Sequence, residues 1–205
     1  MSSYRFSVIF SSAALLFAPF GWASVPEPAP VPPLDCRKLP SGSIDELVCK
    51  DEGLSALNSK MTQVLAEAQA RAVDERPSLL KASQRGWLRE RNDCWKSRNR
   101  QQCVDKSYRW RIAELQATYG LVAANGPVSY RCEGSRASEV VVSFFPTDPP
   151  TLIAKRGDKS TLMFAQPSAS GTKYQSRNES LWEHQGEAMI VWGRGHPPMR
   201  CKPGP

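Results

Sequence analysis

In the first half of the chain, apolar residues recur every three or four positions, the spacing of one face of an α-helix. An S-x-x-E capping box at Ser43 predicts a short first helix that ends near Lys50. Asp51 is placed to cap a longer second helix, Pro77 to begin the third, and Gly120 to end the fourth. The apolar positions expected to form the helical core are Leu54, Leu57, Met61, Val64, Leu65, Ala68, Leu80, Trp87, Cys94, Val104, Tyr108, Ile112, Leu115 and Tyr119.

After Asn125-Gly126-Pro127, the spacing of apolar residues changes to alternation, which is typical of strands. Turn-forming Pro and Gly clusters separate these short runs, a pattern that predicts an antiparallel sandwich or barrel. The sequence therefore predicts an α+β protein of two modules. A helical module over residues 35–122 precedes a β module over residues 127–205.

The N-terminus has the pattern of a secretory signal peptide. Arg5 is the only charged residue before residue 27, residues 6–20 are apolar or small, and cleavage is expected after Ala23. The apolar run is shorter than the roughly 20 residues that span a bilayer. We therefore expect a periplasmic or secreted protein, soluble after cleavage, without a stable membrane anchor. Residues 24–34 are rich in proline and predict an extended tether.

The positive charge of the chain is modest and evenly distributed. The formal net charge is +7, and removal of the signal peptide leaves 26 − 20 = +6. Residues 24–123 contribute 16 − 13 = +3, and residues 124–205 contribute 10 − 7 = +3. This balance argues against nucleic-acid binding. The densest basic stretch, interpreted as a solvated helix face, contains Arg85, Arg89, Arg91, Lys96, Arg98 and Arg100.

Six cysteines in an exported chain predict three disulfides and leave no thiol for metal binding or nucleophilic catalysis. Six cysteines allow 15 pairings, and pairing within modules reduces these to three. Cys132 and Cys201 lie in the first and last predicted strands, and a bond between them would close the β module.

Two arrangements are open for the four cysteines of the helical module. A chain reversal at Pro77 favours a Cys49–Cys94 bond, which leaves Cys36 to pair with Cys103. The local alternative joins Cys36 to Cys49 and Cys94 to Cys103.

The β module contains motifs that resemble the MliC/PliC family of bacterial inhibitors of c-type lysozyme. The motifs, in order, are Tyr130-Arg131-Cys132, Ser168-Ala169-Ser170-Gly171-Thr172-Lys173-Tyr174, Trp182-Glu183-His184-Gln185-Gly186-Glu187-Ala188 and a terminal Cys201. The resemblance implies a small antiparallel β-barrel with c-type lysozyme as its partner. It also implies a loop that enters the lysozyme cleft and approaches the two catalytic carboxylates.

The same resemblance assigns lysozyme-binding residues. Ser170 corresponds to the inserting serine, Gly171 to the tight turn, and Tyr174 to the aromatic residue that supports the loop. His184 stands where the family has a lysine, two residues after the motif tryptophan, and Gln185 is an extra residue before the glycine. Lys173 is the candidate for the positive charge that the missing lysine would have supplied.

The helical module resembles the LprI-type domain, which is also associated with lysozyme inhibition. The residues that carry this resemblance are Asp35-Cys36, Ile44-Asp45-Glu46-Leu47-Val48-Cys49, Gln84-Arg85-Gly86-Trp87-Leu88, Arg91-Asn92-Asp93-Cys94, Cys103 and Arg111-Ile112.

Other function classes have weaker support in the sequence. The chain lacks G-x-S-x-G, H-E-x-x-H, P-loop and G-x-G-x-x-G motifs, so we expect neither an enzyme nor a cofactor. Glu183, His184 and Glu187 are more typical of a solvated strand end than of acid–base catalysis. His184 and His196 are the only histidines, so a metal site is not expected. The remaining alternative is a non-inhibitory envelope module that recognises peptidoglycan or a protein. The sequence leaves the oligomeric state open.

Overall fold

The computed structural model describes residues 34–72, 77–133 and 139–204, and the predicted signal peptide and nearly all of the tether lie outside them. The described chain forms helices followed by strands, which confirms the predicted α+β organisation. The helices are α1 (Ile44–Lys50), α2 (Glu52–Arg71), α3 (Pro77–Asn92) and α4 (Arg100–Thr118), with a 3₁₀ helix at Asp93–Lys96.

The helix ends follow from the capping residues in the sequence. The Ser43 hydroxyl accepts a hydrogen bond from the Glu46 amide at 3.1 Å, which satisfies one of the free amides at the start of α1. Asp51 Oδ1 accepts the Leu54 amide at 2.8 Å and so begins α2 directly after α1. Gly120 follows the end of α4 with φ +58°, a left-handed conformation that glycine adopts without steric cost.

Nearly all of the predicted stripe residues lie in the helical core. Leu57, Trp87 and Tyr119 are only partly buried against it. The buried members of the core are Ile44, Val48, Leu54, Met61, Val64, Leu65, Ala68, Ala72, Leu80, Cys94, Val104, Tyr108, Ile112 and Leu115.

The second half of the chain is a closed antiparallel barrel in which each strand pairs with its neighbours in sequence. The first and last strands pair through Tyr130 with Pro203 and Cys132 with Cys201, so neither strand leaves an open sheet edge. The strands are β1 (Asn125–Cys132), β2 (Glu139–Phe145), β3 (Thr151–Arg156), β4 (Lys159–Gln166), β5 (Thr172–Gln175), β6 (Ser180–His184), β7 (Glu187–Val191) and β8 (Met199–Pro203).

The Cys132–Cys201 disulfide is confirmed and joins β1 to β8. The favoured pairing in the helical module, Cys49–Cys94 with Cys36–Cys103, is wrong. Cys36 instead bonds to Cys49, with Cα atoms 5.8 Å apart, and Cys94 bonds to Cys103, with Cα atoms 5.6 Å apart.

The local pairing has a simple geometric reason. The turn before α1 brings Cys36 against the last turn of that helix, which carries Cys49. The short connection between the 3₁₀ helix and α4 reverses the chain and brings Cys94 to Cys103 in the first turn of α4. Each bond therefore closes a local turn, and the chain reversal at Pro77 does not determine the pairing.

The two modules contact each other through α4, which lies against β3. The Trp110 ring stacks on Phe164 with centroids 4.5 Å apart, and Arg109 Nη1 lies 2.7 Å from Asp148 Oδ2. Ala113 is buried on the same face of α4 as Trp110 and belongs to neither core cluster. A stacked aromatic pair and an ion pair thus connect the helices to the barrel.

Among the described helices, none combines the length and the apolar character that crossing a membrane requires.

Candidate functional site

Three loops meet at one end of the barrel. Because successive hairpins of an antiparallel meander alternate between its two ends, the β2–β3, β4–β5 and β6–β7 connections lie at the same end. The β4–β5 connection, residues 167–171, contains the Ser-Gly motif and is called the serine loop below. The β6–β7 connection contains the turn that follows His184.

The main chain of the serine loop is held from two sides. The carbonyl of Ser170 accepts the Ser168 hydroxyl at 2.7 Å and the Trp182 indole Nε1 at 3.0 Å. Ser170 itself is exposed, and within the described residues its hydroxyl makes no hydrogen bond. The loop therefore fixes the backbone at Ser170 and leaves the hydroxyl free to bind a partner.

Position 171 requires glycine because the main chain of β6 passes very close to it. It adopts φ +66°, and a Cβ atom placed there would lie 2.0 Å from the carbonyl oxygen of Glu183 on β6. Real Cβ atoms do not approach an oxygen so closely, so only glycine fits between the loop and β6. The predicted tight turn at Gly171 is therefore also the point where the loop rests on the next strand.

Tyr174, the residue predicted to support the loop, lies inside the barrel. Its side chain is buried, with 7% of its surface exposed, and its ring meets Phe144 edge-on at 5.7 Å. Burial, together with the nearby Glu183 carboxylate, raises the pKa of Tyr174. Glu183 also accepts a hydrogen bond from the Tyr130 hydroxyl at 3.2 Å. The Tyr174 ring is therefore part of the barrel core, three residues after the loop glycine.

The outer face beside the loop carries an aromatic and a cationic residue. Lys173 on β5 is directly opposite Trp182 on β6, and no acidic group within the described ranges pairs with it. Trp182 is 36% exposed. A shallow pocket of about 470 Å³ lies on this face, lined by Pro167, Ser168, Ala169, Lys173, Ser180, Trp182, Met189 and Val191.

His184 lies on the same outer face at the end of β6. Its ring stacks on Trp182, with centroids 5.3 Å apart and planes 8° apart. His184 pairs with Glu187 across a two-residue turn formed by Gln185 and Gly186. Both turn residues have positive φ, +51° and +79°, as a type I′ hairpin requires. Gln185 therefore occupies a turn position, and His184 is the last residue of the strand before it.

The structure brings the predicted site residues into two groups. Ser170, Lys173 and His184 surround Trp182 on the outside of the barrel end, and Tyr174 lies beneath them in the core. Trp182 and Ser168 were not among the predicted binding residues, although both hold the Ser170 carbonyl. The tryptophan of the second motif was the available signal, but only the fold shows that its indole contacts the serine loop.

The motif residues of the helical module form a buried network. Arg91 is 3% exposed, and its guanidinium donates to Asp45 and to the Tyr108 hydroxyl at 2.7 Å. The Tyr108 hydroxyl in turn donates to Asn58 at 3.0 Å, and Arg91 also lies against the Trp87 ring. The network joins α1, α2, α3 and α4, so we assign these residues a structural role in holding the helices together.

The described parts of the chain contain no group of three or more His, Cys, Asp or Glu side chains arranged to hold a metal ion.

Comparison with known proteins gives matches for both modules. The family described as membrane-bound lysozyme-inhibitor of c-type lysozyme, MliC, matches residues 130–199, which lie in the barrel. Lipoprotein LprI from Mycobacterium tuberculosis and Mycobacterium bovis is 27% identical over 157 residues, covering 77% of this chain and 78% of the relative. A match of this length exceeds the barrel and extends into the helical module.

One solved structure is also similar. It is the crystal structure of Pseudomonas aeruginosa MliC in complex with hen egg white lysozyme, at 22% identity and a TM-score of 0.32. The similarity covers 40% of this chain and 86% of that chain. The family match and the LprI match confirm the resemblance expected from the motifs, an MliC-type barrel joined to an LprI-type helical module.

Proposed function

We propose that this chain, in which an MliC-type barrel follows LprI-type helices, is an exported inhibitor of c-type lysozyme that inserts its serine loop into the active-site cleft. One observation carries the proposal: the Ser170 hydroxyl is exposed and free, while its carbonyl is held by Ser168 and Trp182. A fixed backbone presents the hydroxyl at a lower ordering cost than a free loop would.

The chemistry of the target suits this loop. A c-type lysozyme uses one protonated and one ionised carboxyl group, and a serine hydroxyl can donate to the ionised group or accept from the protonated one. Lys173 stands two strand positions from the loop glycine and has no acidic partner within the described residues. Its ammonium group would pair with the ionised carboxylate and strengthen that contact.

His184 takes the place of the family lysine, so the binding face lacks the permanent positive charge that the lysine would supply there. Lys173 would therefore be the permanent cation beside the serine loop.

A non-inhibitory envelope module remains the second candidate. The observation that favours it is the missing lysine at His184, which removes one permanent positive charge from the binding face. Such a module would recognise peptidoglycan or a protein without blocking lysozyme.

A lysis assay separates the two functions. Purified mature protein is mixed with c-type lysozyme, the clearing of a cell-wall suspension is followed, and complex formation is measured by gel filtration. Inhibition with a stable complex is the expected result. Lysis at the normal rate under micromolar excess of the protein, without a complex, would remove the inhibitor proposal for this class of lysozyme.

Two variants test the loop assignment in the same assay. Ser170→Ala should weaken inhibition about tenfold or more, since a hydrogen bond to a charged group contributes roughly 1.5–3 kcal/mol. Arg98→Ala, an exposed change on the helical module, should leave inhibition unchanged. Equal loss in both variants would show that the serine loop does not carry the inhibition.

A further inference from the structure

The helical module carries an exposed tryptophan that neither the core nor the serine loop uses. Trp95 is 57% exposed and lies in the 3₁₀ helix between α3 and α4. Of the four exposed large hydrophobic residues within the described chain, three lie between positions 79 and 95. A single exposed apolar side chain is common on a stable protein, so it indicates an interaction surface only when other features accompany it.

The first such feature is rigidity. Cys94, next to Trp95, is buried and bonded to Cys103. The Trp95 carbonyl accepts the Arg100 guanidinium Nε at 3.2 Å, and the Ser97 amide closes the turn on the Cys94 carbonyl at 3.0 Å. The chain on both sides of Trp95 is therefore fixed, and its indole is presented at low entropic cost to a ligand.

The second feature is a line of positive charge along the outer face of α3. Arg85 and Arg89 lie one helical turn apart on the side of α3 opposite the buried Leu80 and Arg91, and Lys96 follows in the 3₁₀ helix. No acidic group in the described chain pairs with Arg85 or Arg89. Lys96 contacts Asp93, and its Nζ lies 5.6 Å from the centre of the Trp95 ring.

The charge balance of this segment favours an anionic ligand. Between positions 85 and 100 the exposed charged residues are five basic and two acidic, a balance of 5 − 2 = +3. Arg91, the remaining basic residue, is buried and bonded to Asp45, so it takes no part in the surface. The surface formed by Arg85, Leu88, Arg89, Trp95 and Lys96 is called the tryptophan stripe below.

We propose that the tryptophan stripe binds a linear glycan that bears carboxylates, as peptidoglycan strands do. The apolar face of a sugar ring packs on an indole, and arginine side chains pair with carboxylates. From Arg85 to Lys96 the stripe is about 18 Å long, at about 1.5 Å per residue along α3 and about 2.0 Å per residue along the 3₁₀ helix, and it is one helix wide. A line of this shape suits a polymer chain, whereas a stable protein interface covers about 800 Å² on each partner.

Such a site would give the helical module a role separate from that of the barrel. The serine loop would bind lysozyme, and the stripe would hold the protein on the polymer that lysozyme cleaves. The proposal stands on the contacts of α3 and the 3₁₀ helix, and it does not require the barrel to inhibit lysozyme.

Co-sedimentation with insoluble peptidoglycan tests the proposal on the full mature chain. We expect retention on peptidoglycan that weakens as salt is raised from 50 to 500 mM, since exposed ion pairs are screened. Trp95→Ala and the double change Arg85→Ala/Arg89→Ala should each reduce retention at least fivefold. Matched controls on the barrel, Trp182→Ala and Arg177→Ala, should leave retention unchanged.

Two further probes identify what the stripe recognises. Chitin offers sugar rings without carboxylates, and polyglutamate offers carboxylates without sugar rings. Weak retention on both and strong retention on peptidoglycan is the expected result. Absence of retention on peptidoglycan, equal retention on polyglutamate, or undiminished retention of the stripe variants would each overturn the proposal.

Lysozyme inhibition and thermal unfolding are measured on the same variants. Trp95→Ala should inhibit lysozyme as the parent does and unfold at the same temperature, because its side chain is exposed and outside the core. Loss of peptidoglycan retention with normal inhibition would separate this site from the serine loop. A failure of the inhibitor proposal would leave the peptidoglycan result intact.

Discussion

At the scale of single residues, the candidate site depends on two contacts that position the serine loop and are not themselves expected to touch a partner. Gly171 allows the serine loop to rest on β6, and Trp182 holds the Ser170 carbonyl with its indole. The residue expected to meet lysozyme, Ser170, is therefore positioned by neighbours that a partner need not touch.

Gly171→Ala should destabilise the barrel and reduce lysozyme inhibition together. The added Cβ meets the Glu183 carbonyl at 2.0 Å, and the left-handed backbone alone costs about 1–2 kcal/mol for other residues. Gly157→Ala is the matched control, since Gly157 has φ +60° and open space around its Cβ position. Urea unfolding should show a loss clearly larger at Gly171, and equal losses would contradict the steric argument.

Tyr130 should make the free energy of unfolding fall at alkaline pH. Burial, then the nearby Glu183 carboxylate, raises the pKa of Tyr130 in the folded state. The folded protein holds this proton more tightly than the unfolded chain, whose tyrosine has a pKa near 10. The resulting stability is full below about pH 10 and is lost as pH rises through the folded pKa.

Urea unfolding between pH 8 and pH 11 measures this effect in the parent and in Tyr130→Phe. The variant should lose stability less steeply above about pH 10, because it has no phenol to ionise. Tyr108 and Tyr174 also have raised pKa values, so some decline remains. Parallel curves for the two proteins would show that Tyr130 does not contribute.

At the scale of elements, the disulfides act on very different lengths of chain. Cys132 and Cys201 are 69 residues apart and join the two strands that close the barrel. Cys94 and Cys103 are 9 residues apart and hold one turn, the turn that presents Trp95. The first bond therefore restrains a whole module in the unfolded chain, and the second restrains a local segment.

Removing these bonds should cost different amounts of stability. Loop-closure entropy gives about 4.4 kcal/mol for the Cys132–Cys201 bond and about 2.6 kcal/mol for the Cys94–Cys103 bond. Double alanine variants of each pair, unfolded in urea, should therefore differ by about 2 kcal/mol. Equal destabilisation would mean that local strain or packing, rather than loop length, sets the cost.

At the scale of the whole molecule, the helices dock beside the end of the barrel that carries the serine loop. Phe164, stacked on Trp110 of α4, lies three residues before the loop begins. Asp148, paired with Arg109, belongs to the β2–β3 connection at the same barrel end. The interface thus orients the helical module near the loop, although the two modules have separate cores.

A double-mutant cycle on Trp110 and Phe164 measures the coupling between the modules. The single alanine variants and the double variant should give a coupling energy of about 0.5–1.5 kcal/mol, as expected for an aromatic pair. The control cycle combines Trp110→Ala with Phe144→Ala, whose ring meets Tyr174 inside the barrel. A control coupling as large as that of the stacked pair would rule out a specific contact.

The sequence by itself determined the elements that depend on local chemistry. Ser43, Asp51 and Gly120 set helix ends through capping and left-handed φ, and these interactions involve neighbours in the chain. The change from helical spacing to alternation indicated the two modules, and the paired motifs indicated an MliC-type barrel.

The tertiary structure decided the features that depend on contacts between distant residues. The spacing of the cysteines could not choose between the disulfide pairings of the helical module, because the choice depends on which cysteines each turn brings close together in space. It could not show that Glu183 approaches Gly171, that Trp182 bonds to Ser170, or that Trp110 stacks on Phe164. Each of these contacts joins positions brought together by strand pairing or module docking, which the pattern along the chain does not encode.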